Sequence, residues 1–441
     1  MTSRISEIEA NAHDARTLLT AAAVRASAER MLALAQGNAL ADWRVDMDRL
    51  PATADFVAGV VRNRYPRLDP PVHARWRHFV FNGRDLWQEM VAKSSWPTPA
   101  AAARAAFDLV LTSVLLDAGA GPDWSYLDAA TGLRAARSEG LALASLRWFE
   151  KGGLSNNPAD PLRVDAAALQ RVDTESIRRA FQVTESNPLL GAEGRAALLN
   201  RLGSAVESRA DFFGLEDAPR PGGLFDALAR RAGGGSLPLP AADILAMLLE
   251  ALGTIWQDRP ILGGVPLGDC WLHPAFGTGV GVETGGWVNG PMGTGAATVS
   301  GAASRYVPLH KLSQWLTYSL LEPLVGAGIA VCRVDELTGL AEYRNGGLFV
   351  DEGVLVPRDH SAPDQVYAVS DPFVVGWRAL TVALLDQIAP LVGSRLGLTT
   401  AEFPLANVLE GGTWAAGRLI ARDKRPDGGP PFQISSDGTV F

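Results

Sequence analysis

The sequence predicts a mainly α protein, a multi-helix enzyme body with short β-hairpins near its C-terminus. Three observations predict it. Ala-, Leu- and Arg-rich runs with apolar residues at helical spacing recur through the first 260 residues. No alternation of short strands with helices suggests a Rossmann-type sheet. Turn-bounded β patterns occur only late in the chain.

Taken in order, residues 15–37 are Ala/Leu/Arg-rich and stop at Gly37. Residues 48–66 repeat the pattern and end before Pro66, because the residue preceding a proline is pushed out of the helical region. Further helical stretches are 100–117, 131–150, 174–183, 192–214, 222–232 and 241–256. Thr98 before Pro99 is an N-terminal cap, and Asp173 or Thr174 is another. Nine glycines between 275 and 303 predict a long loop, since such chain loses too much entropy to be regular. Helical spacing resumes over 307–328 and over the stretch beginning PFVVGWRALTVALLD. GLFVDEGVLVP (347–357) and FQISSDGTVF (432–441) are predicted hairpins with DEG and SDG at their turns. The 441 residues are expected to form one family domain, with two helical lobes around a cleft as one arrangement of it.

Composition narrows the function classes. Apolar residues make up 47% and charged residues 20%, which suits a packed core and excludes a disordered chain. A net charge of −8 offers no electrostatic footprint for DNA or RNA, so no nucleic-acid partner is expected. The two cysteines, Cys270 and Cys332, cannot build a disulfide framework. The first residues lack the apolar run of a signal peptide, and 242–256 is too short and too charged to span a bilayer. A cytoplasmic location without a membrane partner is the expectation. The six histidines form neither HExxH nor HxH, so neither a metal nor another cofactor is expected.

Candidate chemistry gathers in a few stretches. GGVPLGDCWLHP (263–274) sets the lone carboxylate of Asp269 between glycine bends and Trp271. Such an acid is either a helix cap or an ionisable group held for chemistry. HARWRHFVFNGRDLW (73–87) places Arg75, Arg77 and His78 among aromatics, where guanidinium forks suit a phosphate. Its plainer reading is core aromatics beside solvated arginines. LHKLSQWLTYSLLEPL (309–324) carries His310, Lys311, Gln314 and Trp315, and EYRNGGLFVDEG (342–353) carries Tyr343, Arg344 and Asn345 before a turn. LLDAGAGPDWSY (115–126) adds Asp117, Asp123 and Trp124. Four stretches joining a polar head to an aromatic are expected to line one cleft.

ARWRHF, LLDAGAGPDWSY, RSEGLALASL, NPLLGAEGR, PLGDCW, HKLSQWLTYSLLEPL, LTGLAEYRNGGLFVDEGVL, GWRALTVALLD and PPFQISSDGTVF resemble the bacterial and fungal uracil-catabolism protein family, from about residue 15 to 441. The resemblance implies a uracil-degrading route in which uracil becomes its nucleotide and the ring is opened. Ribosylurea, or its 5′-phosphate, is the intermediate from which this step would release urea. GDCW (268–271) followed by the Trp/Tyr helix is more distantly similar to queuosine-nucleotide N-glycosylases, whose fold is akin to helix-hairpin-helix DNA glycosylases. That likeness implies Asp269 as the catalytic residue and Trp271 as its companion. The family's later Asp-Tyr pair falls on Gln314 and Trp315, where the charge is absent.

The expected reaction is N-glycosidic hydrolysis of a small ribosyl substrate. Breaking the bond builds positive charge on C1′, which a fixed carboxylate at Asp269 would stabilise. Gln314, Asn345 and Tyr343 would address the urea. Arg75, Arg77, His78 and Lys311 would hold a phosphate, and Trp271 or Trp315 would pack on the ribose. His310 and Arg344 complete the lining. Two other classes stay open: a hydrolase of another C–N bond in the ring-opened pyrimidine, and a non-catalytic pathway partner.

Overall fold

The computed structural model describes residues 2–215, 218–277, 299 and 301–435. They are mainly helical, as the sequence predicts, and the strands are short and paired two by two. By internal packing the chain separates into two compact units. The first holds residues 1–73, 258–314 and 334–435; the second holds 74–257 and 315–333.

The first unit is built on the helix Pro372–Leu396. Asp371 caps it by accepting the Phe373 N–H at 2.8 Å, and Gly397 ends it at φ +76°. This helix is long and apolar enough to cross a membrane, yet most of it is buried within the protein, as the core helix of a packed domain would be. Helices Ala21–Gln36 and Leu50–Arg64 pack against it. Trp43 stacks on Phe373 with ring centroids 4.5 Å apart and donates its Nε1–H to the Phe373 carbonyl at 2.9 Å, so the aromatic core also satisfies its polar tip. Helix Trp414–Lys424 lies so close to helix Tyr343–Asp351 that a Cβ at Gly417 would meet the Arg344 carbonyl oxygen at 2.1 Å.

In the second unit, helix Pro99–Leu115 starts at the predicted cap, Thr98, which accepts the Ala101 N–H at 3.1 Å. Its Asp108, fully buried, accepts from the Val164 N–H at 3.0 Å, the Gly222 N–H at 2.5 Å and the Arg220 guanidinium. A buried carboxylate holding three separate chain segments fixes how they pack. Arg195 does similar work with carbonyls, donating to Leu116, Ala118 and Leu190; burial lowers its pKa to about 10.

Several elements differ from expectation. Within the stretch predicted helical over 131–150, Arg134–Ala136 is a strand paired with Ser125–Leu127, and the helix begins at Arg137. The helix predicted over 15–37 is broken at 18–20, where Thr20 caps Ala21–Gln36 by accepting the Ala23 N–H. Residues 347–351, predicted as one arm of a hairpin, close the helix Tyr343–Asp351. Leu355–Pro357 pairs instead with Trp43–Val45. Gln433–Ser435 pairs in parallel with Val366–Ala368, and the SDG turn expected after it lies outside the described residues, as does most of the glycine-rich stretch 275–303.

Candidate functional site

Asp269 is a buried carboxylate of the first unit with both oxygens engaged. Gly268 turns the chain at φ +60°, a left-handed conformation that suits glycine, and Asp269 then enters the strand Cys270–Leu272. That strand pairs antiparallel with Tyr306–Pro308, and the Asp269 carbonyl accepts the N–H groups of Leu309 and His310 at 2.9 and 3.1 Å. The side chain therefore sits at the start of the helix Lys311–Gly326. Its Oδ2 takes the Lys311 N–H at 3.0 Å and Arg378 Nη2 at 2.7 Å. Its Oδ1 takes Trp271 Nε1 and Arg378 Nη1, both at 2.8 Å.

Four donors fill both oxygens. Burial alone would favour the neutral acid, but the Arg378 guanidinium and these N–H groups outweigh it and hold the carboxyl well below the usual range. Asp269 is thus anionic at any physiological pH and poorly suited to carry protons. Its charge is matched by the Arg378 guanidinium bound to both oxygens, so the two form a neutral pair as a unit. Of the two readings left open by the sequence, these contacts show the cap: the carboxylate accepts an N–H at the start of the helix. The neighbouring Cys270 thiol is pushed up by burial and by that carboxylate, so it is no thiolate nucleophile.

Three buried acceptors of the same unit lack a donor. Gln314 gives its Nε2–H to Thr338 Oγ1 at 2.8 Å, and Asn345 gives its Nδ2–H to the Leu340 carbonyl at 3.3 Å. Because Thr338 Oγ1 itself donates to the Gly339 carbonyl, and a carbonyl can only accept, both amide orientations are fixed. Gln314 Oε1 and Asn345 Oδ1 are left without a hydrogen bond. His310, at φ +46°, spends one ring nitrogen on the Leu18 carbonyl (Nε2···O 2.9 Å), so Nε2 carries the hydrogen and Nδ1 is a lone pair with no partner. Burial lowers the pKa of this imidazole, which keeps it neutral. The segment 338–341 ties these groups to the carboxylate, since Arg378 Nε also donates to the Ala341 carbonyl at 3.2 Å.

Tyr343 is half-buried. Arg344 lies under it in a cation–π contact of 4.8 Å and donates Nη1–H to the Gly428 carbonyl. Lys311 contributes its backbone N–H rather than its ammonium to Asp269.

Arg75, Arg77, His78 and Trp315 belong to the second unit, so the predicted residues divide between the two, the boundary falling between Gln314 and Trp315. Arg75 is fully buried. Its Nη1 pairs with Asp117 at 3.0 Å, its Nε donates to Ser113 Oγ at 2.8 Å, and its face lies 5.5 Å from the Trp315 ring. Only Nη2 has no hydrogen bond. Burial lowers its pKa against the pull of Asp117. His78 Nδ1 is 2.9 Å from Ser138 Oγ, and Arg77 pairs with Glu322.

Arg378 and Thr338 were not singled out by the sequence reading. The one available signal for Arg378 was a charge inside an apolar 25-residue helix; nothing pointed it at a partner 109 residues away. Among the described residues no three His, Cys, Asp or Glu side chains gather as a metal site would require.

The chain is mainly helical, with a buried carboxylate held by four donors and two buried amide oxygens without a hydrogen bond in the same unit. The chain belongs to the family described as "Protein of unknown function (DUF1688)", whose profile matches residues 17–441. It is 37% identical over 437 residues to "Protein urg3" of Schizosaccharomyces pombe, covering 96% of this chain and 98% of that one. It is 34% identical over 435 residues to "Uracil catabolism protein 4" of Lachancea kluyveri, covering 92% and 93%. The family membership expected from the quoted motifs is thereby shown.

Proposed function

We propose that this protein acts in uracil catabolism as an N-glycosidase, hydrolysing the N-ribosyl bond of ribosylurea or its 5′-phosphate to release urea. The pathway is suggested by the name of its Lachancea relative. One observation carries the reaction: a fixed anion, Asp269, shares a framework with three buried acceptors that have no donor. Buried acceptors left unsatisfied cost about 1–3 kcal/mol each, so their native partner is expected to bring N–H or O–H donors. A urea bears several N–H groups on a small, flat frame.

In this reading Gln314 Oε1 and Asn345 Oδ1 receive urea N–H groups. Each amide nitrogen donates one hydrogen bond within the protein and keeps a second N–H, which can meet the urea carbonyl oxygen as charge builds there. Asp269 offsets the positive charge developing at C1′. The C1′–N bond breaks with its electron pair going to the urea nitrogen, and water adds to C1′. The neutral lone pair of His310 Nδ1 takes the proton from that water and passes it to the departing nitrogen.

The deciding experiment is incubation of the purified protein with ribosylurea and with its 5′-phosphate, separately, while assaying free urea. Release from either one, lost in Asp269→Asn, supports the reading. No urea from both substrates at high enzyme concentration overturns it.

A further inference from the structure

Within the second unit lies a cavity of about 470 Å³ whose lining includes Arg147, Lys151, Arg171, Arg179, Ser155 and Ser176. Four of these are cationic and none is acidic. One of the four, Arg147, is matched by Asp128 and Glu150, while Lys151, Arg171 and Arg179 form no ion pair among the described residues.

The four cations are not equally committed. Arg147 is buried and fully engaged: Nε and Nη2 reach Asp128 at 3.0 and 2.8 Å, and Nη1 reaches Glu150 at 2.6 Å. Arg171 gives one N–H to the Asn156 amide oxygen, a neutral partner. Lys151 and Arg179 are exposed and form no ion pair among the described residues. The C-terminal end of the helix Thr174–Ala180 draws cations to its last turn, which accounts for Arg179 being tolerated there but not for Lys151 and Arg171 facing the same space. The hydroxyls of Ser155 and Ser176 and the Gln182 amide add neutral donors. Gly153 packs onto the Trp148 indole so tightly that a Cβ would lie 2.1 Å from it, and Trp148 meets Phe181 edge-on at 6.2 Å.

The geometry points to a binding site for a small phosphate ester in this cavity, with Lys151, Arg171 and Arg179 as the charged contacts. A phosphate group takes several charge-assisted hydrogen bonds at once, which matches convergent cations and hydroxyls. The volume lies within the range of small-molecule pockets. This site is independent of the glycosidase reading, because its ligand needs no N-ribosyl bond.

The test is isothermal titration calorimetry of the full chain with inorganic phosphate, glycerol 3-phosphate and glycerol at fixed ionic strength. The three proteins are the wild type, Lys151→Gln, and the double variant Lys151→Gln/Arg179→Gln. Both side chains are exposed, and thermal melts report whether the variants fold as the wild type does. Saturable binding of glycerol 3-phosphate, none of glycerol, and weakening by about tenfold or more in the double variant are expected. Absence of saturation with both phosphates, or unchanged affinity in the double variant, overturns the assignment.

Discussion

Arg378 meets Asp269 with both prongs of its guanidinium, Nη1 to Oδ1 at 2.8 Å and Nη2 to Oδ2 at 2.7 Å, and both side chains are buried. Such a pair is strong as a unit and damaging when halved. Asp269→Asn removes the charge that the reaction needs and leaves Arg378 buried beside a neutral amide. It is expected to lower stability by about 3–5 kcal/mol as well as turnover. Asp269→Asn/Arg378→Gln removes both charges and should recover much of that stability, measured by denaturant unfolding, while turnover stays lost. Turnover returning together with stability would make the pair purely structural.

The same pair sets an acid limit. The Asp269 carboxyl titrates below its ordinary 3.8 in the folded protein, so the stabilisation is complete above that value and is lost as pH falls beneath it. Melting temperatures measured down to about pH 2.5 should fall more steeply for wild type than for Asp269→Asn, whose residue 269 has no proton to take up.

His310 has its folded pKa lowered beneath 6.5 by burial, so its working neutral form persists through neutral pH. Under the proposed function, kcat should be flat around neutrality and decline only on the acid side of 6.5. His310→Gln should lower kcat by about 10²-fold or more and abolish that acid limb. An unchanged limb in the variant would remove His310 from proton transfer.

Gln314→Met deletes an acceptor that has no donor in the free protein. The lost hydrogen bond to Thr338 and the relieved orphan oxygen act in opposite directions, so unfolding free energy should shift by no more than about 1 kcal/mol. The KM for the urea-bearing substrate should nevertheless rise about tenfold. Asn345→Leu should behave alike.

Gly417→Ala tests the close approach of two helices. Its Cβ would lie 2.1 Å from the backbone oxygen of Arg344, which cannot rotate away. A loss of about 1–3 kcal/mol in chemical denaturation is expected. Because Arg344 adjoins Asn345, KM should rise as well.

The helices were readable because apolar spacing, the Thr98 and Asp173 caps and the stop at Gly37 are local signals. Helix Tyr343–Asp351 was not, because its cap is Glu342, whose long carboxylate accepts the N–H groups of Arg344 and Asn345 at 2.7 and 2.6 Å. A glutamate lies outside the usual cap signature of Ser, Thr, Asp and Asn. The glycines after it and the DEG sequence then imitate a hairpin. At the site, Asp269 stood out by its isolation among glycines and apolar residues. Its partnership with Arg378, and the stranded oxygens of Gln314 and Asn345, arise only from tertiary placement, which spacing along a chain does not encode.

The ladder between Cys270–Leu272 and Tyr306–Pro308, together with the Asp269 contacts to Leu309, His310 and Lys311, clamps the two ends of the intervening stretch to each other. One residue thus serves two elements: loosening this ladder would also loosen the start of the helix at Lys311, because the Asp269 carbonyl and carboxylate hold both.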